Sequence, residues 1–103
     1  VLFVPLREDL GLVTLEAYRC ARPVITCADS GEPARVVRDG VTGFVAPPEP
    51  AALGAAITRL AGDPALAARF GEAGRRETET ITWENVAGTL AAALAPGFAR
   101  GTA

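Results

Sequence analysis

Two carboxylates, Glu8 and Glu16, have seven residues between them, and the turn Asp9-Leu10-Gly11 follows directly on the first. The spacing puts Glu8 where an apolar run has ended and Glu16 about one turn into the helix that comes next. A helix start presents backbone N–H groups without intrahelical partners, and these hold anions such as phosphates. Ionised carboxylates accept hydrogen bonds from hydroxyls. Together the two kinds of group suit a ligand that carries a diphosphate with sugar hydroxyls on either side of it. Helical side chains lean toward the N-terminus, which brings a ribose within reach of Glu16. Gly11 leaves the backbone open to close approach by such a ligand. The Thr14 hydroxyl has two readings, a bond to the ligand or a bond to a backbone carbonyl of the first helical turn. The glutamates also have a plain structural explanation, because acidic groups near a helix start favour the helix dipole.

The elements that must position these residues are legible from the apolar pattern. Val1-Leu2-Phe3-Val4 is a short continuous apolar run closed by Pro5, which reads as a strand buried on both faces. A helix of about three turns follows from Gly11 and stops before Pro23. Val24-Ile25-Thr26-Cys27-Ala28 is a second β-branched run, followed by the turn Asp29-Ser30-Gly31 and a short helical piece from Pro33 to Val37. Gly43-Phe44-Val45-Ala46 is a third strand after the turn at Asp39-Gly40. Gly40 and Gly43 lack the order of a phosphate loop and read as turn residues. Helices are expected over 50–61, 64–79 and 83–95, with Pro50 and Pro64 in first turns and Asp63 and Thr82 as N-caps. Their apolar stripes run through Leu53, Ala56, Ile57 and Leu60, then Leu66, Phe70 and Ala73, then Val86, Leu90 and Leu94. The fold class is therefore α/β, a partial parallel sheet of about three short strands with helices, followed by a C-terminal helical tail.

The run Glu8-Asp9-Leu10-Gly11-Leu12-Val13-Thr14-Leu15-Glu16 resembles the paired-glutamate signature of retaining glycosyltransferases of family 4. Ala17, Cys20-Ala21-Arg22-Pro23-Val24-Ile25 and Asp39-Gly40-Val41-Thr42-Gly43 keep that family's order and spacing, and the likeness extends over residues 1 to about 90. It implies a Rossmann-like sheet, the C-terminal donor-binding half of a two-domain GT-B fold. It implies that Glu16 binds the ribose hydroxyls of a nucleotide-diphosphate sugar and that Glu8, the catalytic assignment, lies beside the donor sugar near its anomeric carbon. The amides of Leu10, Gly11, Leu12 and Val13 would then hold sugar hydroxyls and phosphate. A fixed carboxylate at Glu8 suits stabilisation of positive charge as the nucleotide leaves; whether it acts as a nucleophile stays open. The implied reaction moves a sugar to an acceptor hydroxyl without a metal or other cofactor. Two departures stand out. Asp9-Leu10 replaces the family's commoner Gly-aromatic pair, and Ser30-Gly31-Glu32-Pro33 replaces its Gly-Gly-x-Pro loop. Glu32 would repel a diphosphate if it pointed inward and not if it faced solvent. These departures are the support for an alternative, a structural or interaction domain that kept the fold but lost donor binding.

Composition narrows the classes further. Half of the 103 residues are hydrophobic and 21% are charged, which fits one compact domain and excludes a disordered segment. A net charge of −2 without a basic block argues against nucleic acid as partner. No apolar run approaches a membrane span and no signal-peptide pattern opens the chain, so the expected location is cytoplasmic, with a peripheral position at the inner face of the membrane open to a longer protein. Cys20 and Cys27, with six residues between them and no histidine in the chain, read as reduced, partly buried thiols rather than a disulfide or metal site. Trp83 reads as a packing anchor, and Arg75-Arg76 with Glu77 and Glu79 as a solvated charged face.

The chain opens on a strand with no Met, which suggests a piece of a longer protein. Residues 1–95 are expected to be an incomplete nucleotide-sugar-binding domain and 96–103 a frayed tail. By the resemblance, the acceptor-binding N-terminal domain and a basic residue for the diphosphate lie outside it, so the piece alone is expected to be inactive. Its uncovered sheet edge and the Val86, Leu90, Leu94 stripe favour self-association.

Overall fold

A computed structural model of the chain describes residues 1–8, 11–81 and 83–102. Asp9, Leu10 and the expected cap Thr82 lie outside the described residues, as do the side chains of Trp83 and Val86. The elements in chain order are α1 (Leu12–Arg19), β1 (Val24–Cys27), α2 (Glu32–Val36), β2 (Gly43–Ala46), α3 (Pro50–Ala61), α4 (Pro64–Thr78) and α5 (Trp83–Thr102).

The β-branched run of β1 is buried along its whole length and pairs in parallel with β2, Val24 opposite Gly43 through Cys27 opposite Ala46. Residues 1–8 run along the other edge of β1. Their two parallel bridges, Leu2 with Ile25 and Glu8 with Gly31, keep one register. Hydrogen bonds from Phe3 N to Ile25 O (3.0 Å), from Ile25 N to Val1 O (2.8 Å) and from Arg7 N to Asp29 O (3.1 Å) hold the segment in place.

The first expected strand needs correction. It is a bridged segment rather than a regular strand, and Val1, Leu2 and Val4 are 43–50% exposed. Among the described residues no strand flanks its outer edge, and burial on two faces requires neighbours that its own apolar character does not supply.

α1 ends in a left-handed residue, Ala21 (φ 54°), with Ala21 N donating to Tyr18 O (2.9 Å) and Arg22 N to Ala17 O (2.9 Å). This is the Schellman closure, which normally uses glycine at that position. Cys20, the C-cap, is exposed there, contrary to the expectation of a partly buried thiol; Cys27 in β1 is buried, and burial pushes its thiol pKa up. The core joins Ala17 and Tyr18 of α1 to Val24 and Val37.

α4 reaches this core through two glycines. A Cβ on Gly71 would lie 2.0 Å from the Ala21 carbonyl oxygen, and one on Gly74 would lie 2.5 Å from the Tyr18 ring. Asp63 caps α4 by accepting from Leu66 N at 3.0 Å. Phe70 of α4 meets Phe44 of β2 edge-on at 5.3 Å, and Arg59 of α3 covers the Phe44 ring at the same distance. On the charged face of α4, Arg75 binds Glu72 (2.6 Å) and Glu79 (2.8 Å), whereas Glu77 reaches across to Arg38 (2.9 Å).

α3 keeps the expected bounds, although Ile57 of its stripe is 42% exposed. α5 runs past residue 95 and through 96–102, where a frayed tail was expected. The alanine-rich stretch before Pro96 has high helix propensity, whereas a proline inside a helix removes a donor and crowds the carbonyl four residues earlier, which is why local propensity alone ends the helix there. Leu90 and Leu94 on α5 are 58% and 46% exposed.

Candidate functional site

Glu8 is fixed through its backbone. Its N–H donates to Ser30 O (2.7 Å), and its carbonyl accepts from Glu32 N (2.9 Å). This pairing brings the chain so close to Gly31 that a Cβ there would stand 2.5 Å from Glu8 O and 2.8 Å from Glu8 N. Gly31 also has φ 82°, so glycine is required on both grounds. Arg7, just before Glu8, adopts φ 52°, a left-handed conformation uncommon outside glycine. Because residues 1–8 parallel β1 and Glu8 pairs beyond its last residue, Glu8 sits at the carboxyl end of the sheet. Open parallel sheets bind ligands there.

α1 starts at the same end. Its N-cap is Gly11 (φ 63°), which provides no side-chain cap, and no acidic residue stands in the first turn. Thr14 N donates to Gly11 O (3.1 Å). The amides of Leu12 and Val13 precede the first helical hydrogen bond, and the two residues are 54% and 40% exposed. Glu16 is exposed one turn further along.

Glycine at position 11 has reasons inside the fold besides the expected one. Gly11 is buried, and a Cβ would lie 2.7 Å from Pro33 Cγ. The space is taken by the start of α2, and the left-handed φ is a second internal requirement. Leu10, expected to offer an amide, lies outside the described residues, as does Asp9. The Glu32 side chain is 38% exposed and lies 3.8 Å from Arg35.

The structure therefore brings Glu8, Gly11, Leu12 and Val13 to one end of the sheet, with Glu16 on the helix that begins there. Neither glutamate lines the 480 Å³ cleft formed by Leu15, Tyr18, Arg38, Glu77, Ile81 and their neighbours. Sequence reasoning missed the part played by Thr26 and Ser30, both fully buried, which hydrogen-bond to each other under the Glu8 clamp. The Ser30-Gly31 pair ahead of Pro33 was the available signal, since glycine before a helix-starting proline marks a constrained turn. Of the two readings of Thr14, the bond to a backbone carbonyl is not made: its hydroxyl is buried without a hydrogen-bond partner among the described residues. Among the described residues no cluster of three or more His, Cys, Asp or Glu side chains could hold a metal ion. Among the same residues no helix is long and apolar enough to cross a membrane.

Comparison with known proteins gives one consistent result. The profile of the family described as "Glycosyl transferases group 1" matches residues 1–77. The chain is 40% identical over 85 residues to a D-inositol 3-phosphate glycosyltransferase of Streptomyces avermitilis, covering 82% of this chain and 18% of that protein. It is 40% identical over 75 residues to a human alpha-1,3/1,6-mannosyltransferase, covering 73% of this chain and 18% of the relative. Among solved structures, sucrose-phosphate synthase from Thermosynechococcus elongatus superposes with a TM-score of 0.79 at 37% identity, over 90% of this chain and 24% of that one. The chain thus spans about a fifth of the length of the curated relatives it matches.

Proposed function

The chain belongs to the glycosyl transferases group 1 family, and from that premise we propose that it is the donor-binding part of a retaining glycosyltransferase, which moves a sugar from a nucleotide-diphosphate sugar to an acceptor hydroxyl. The observation that carries the reading is the juxtaposition at the carboxyl end of the sheet: a glutamate clamped through both backbone groups beside the start of α1, whose first amides have no partner among the described residues. The amides of Leu12 and Val13, reinforced by the α1 dipole, receive the diphosphate. Glu16 accepts from the ribose hydroxyls. Glu8 stands on the sugar side and stabilises the charge that develops at the anomeric carbon as its bond to the diphosphate oxygen breaks and the bond to the acceptor oxygen forms. The acceptor hydroxyl's proton passes to the departing diphosphate oxygen, so the products are the glycoside and the nucleoside diphosphate.

In this reading no metal takes part, because amides and the helix dipole supply the neutralisation. The acceptor is held by another domain of a longer polypeptide, and the reaction takes place on the cytoplasmic side. The relatives compared above are a glycosyltransferase and a mannosyltransferase by name, which supports the reaction class.

Calorimetric titration of the full-length polypeptide with UDP-, GDP- and ADP-sugars tests it, with Glu16→Gln alongside. Binding of one donor, weakened about tenfold or more in the variant, is the expected result. A folded wild type that binds none of them sinks the proposal.

A further inference from the structure

Two buried hydroxyls take no part in the donor reading. Thr26, the third residue of β1, and Ser30, four residues later, are fully buried, and Thr26 Oγ1 donates to Ser30 Oγ over 2.8 Å. Burying a hydroxyl pair costs desolvation that their hydrogen bond only offsets, and valine at 26 would fill the same volume without that cost. Such a pair specifies a geometry more than it adds stability.

The geometry is that of the 28–31 turn. Ser30 is held by its side chain to Thr26 and by its N–H to Cys27 O at 3.0 Å. Its carbonyl is thereby aimed at residues 1–8, where it receives Glu8 N–H, and Glu32 N–H returns to Glu8 O. Gly31, between them, provides the close approach. Both polar main-chain groups of Glu8 are thus bonded to residues adjoining or belonging to the turn that the hydroxyl pair fixes. The left-handed Arg7 immediately before Glu8 means that the chain is bent into this path rather than resting in it.

We propose that Thr26 and Ser30 are positioning residues: their hydroxyl pair locks the 28–31 turn, and the turn sets where the Glu8 carboxylate stands against the donor sugar. This rests on the reading of Glu8 as the sugar-side carboxylate. In the same reading the ribose and diphosphate contacts belong to α1, whose main packing is against α4. Loosening the turn therefore lowers turnover without weakening donor binding in proportion.

The test uses Thr26→Val, Ser30→Ala and Thr26→Ser in the full-length polypeptide, with two readouts. Hydrogen exchange of the peptides carrying the Glu8 and Glu32 amides should quicken about tenfold in Thr26→Val and Ser30→Ala, with α4 peptides unchanged. Turnover with the donor identified by titration should fall about tenfold, with its KM within about twofold, and Thr26→Ser should restore both readouts. Unchanged exchange at Glu8 and Glu32 overturns the proposal whatever the activity. A rise that extends equally to α4 overturns it as well, since that is general destabilisation. Faster local exchange with full turnover removes the link to the carboxylate. Faster local exchange in a protein whose wild type transfers no sugar supports the positioning of Glu8 and overturns the donor reading.

Discussion

The phenol of Tyr18 on α1 and the hydroxyl of Thr42 in the turn before β2 share a buried hydrogen bond of 2.6 Å. Thr42 Oγ1 also accepts from Arg38 N at 2.9 Å, so one side chain joins the helix that carries Glu16 to the strand connection on the far side of the core. Replacing Tyr18 with Phe leaves Thr42 its bond to Arg38 and should cost about 1–2 kcal/mol in denaturant unfolding. A loss below a few tenths would mean the bond adds nothing beyond packing.

The same phenol makes stability depend on alkaline pH. Burial, aided by the Glu77 carboxylate and opposed by the Thr42 bond, pushes the Tyr18 pKa from the ordinary 10 up to about 12. Below pH 10 both the folded and the unfolded chain hold the proton, and this group contributes no pH dependence. Between 10 and 12 the unfolded chain releases it and the folded chain does not, so stability falls, by about 2–3 kcal/mol in all. The buried Cys27 thiol, also pushed up, adds a loss of the same sign. Urea midpoints measured across this range should drop in the wild type and drop less in Tyr18→Phe. Parallel curves would mean that Tyr18 ionises without resistance from the fold.

Two glycines in helices should respond in opposite directions. Alanine at Gly71 would drive its Cβ into the Ala21 backbone, which cannot move aside without separating α4 from α1, and should cost about 3 kcal/mol or more. At Gly54 in α3 a Cβ meets nothing within 4 Å, and alanine should stabilise by about 0.5–1 kcal/mol through helix propensity. Thermal unfolding of both variants decides it. Similar shifts would refute the close α1–α4 contact.

Ala21 is the mirror case, a side chain where the backbone favours none. Its left-handed φ costs about 1–2 kcal/mol, part of which glycine returns as greater freedom of the unfolded chain. Ala21→Gly should therefore raise stability by about 0.5–1 kcal/mol, which for a domain of this size is a rise in Tm of about 2–8 °C. A lowered Tm would show that the Schellman closure does not strain Ala21.

These contacts separate what the sequence carries from what it does not. The bounds of α3 and β2 follow from Pro50, Gly43 and the paired prolines Pro47-Pro48, because backbone restrictions act locally. The position of Glu8 at the carboxyl end of the sheet was legible for the same reason, since a closed apolar run followed by a helix leaves little choice of topology. Gly71 and Gly74 were not legible as contact residues, because a glycine adds nothing to a hydropathy stripe and its value lies in the neighbour's atoms. Thr26, Ser30 and Thr42 are all fully buried, yet their types read as surface or turn residues; hydrogen-bond partners that lie across a turn or on another element decide their burial. The exposure of Val1, Leu2 and Val4 has the converse cause, an apolar run with no second neighbouring strand among the described residues.

Gly11 offers the sharpest separation between a requirement of the fold and one of the ligand. If the Pro33 ring is what excludes a side chain there, Gly11→Ala pays two penalties, the left-handed φ and the overlap with Pro33 Cγ, together about 2–4 kcal/mol. In a Pro33→Ala background the overlap disappears and only the backbone term of about 1–2 kcal/mol stays. The double-mutant cycle in urea therefore predicts a coupling of about 1–2 kcal/mol between the two positions. Equal costs in the two backgrounds would rule out Pro33 as the cause. If Gly11→Ala then also weakened donor binding in a protein whose stability was restored, the glycine would be serving the approach of the diphosphate to the α1 amides as well as the packing of α2.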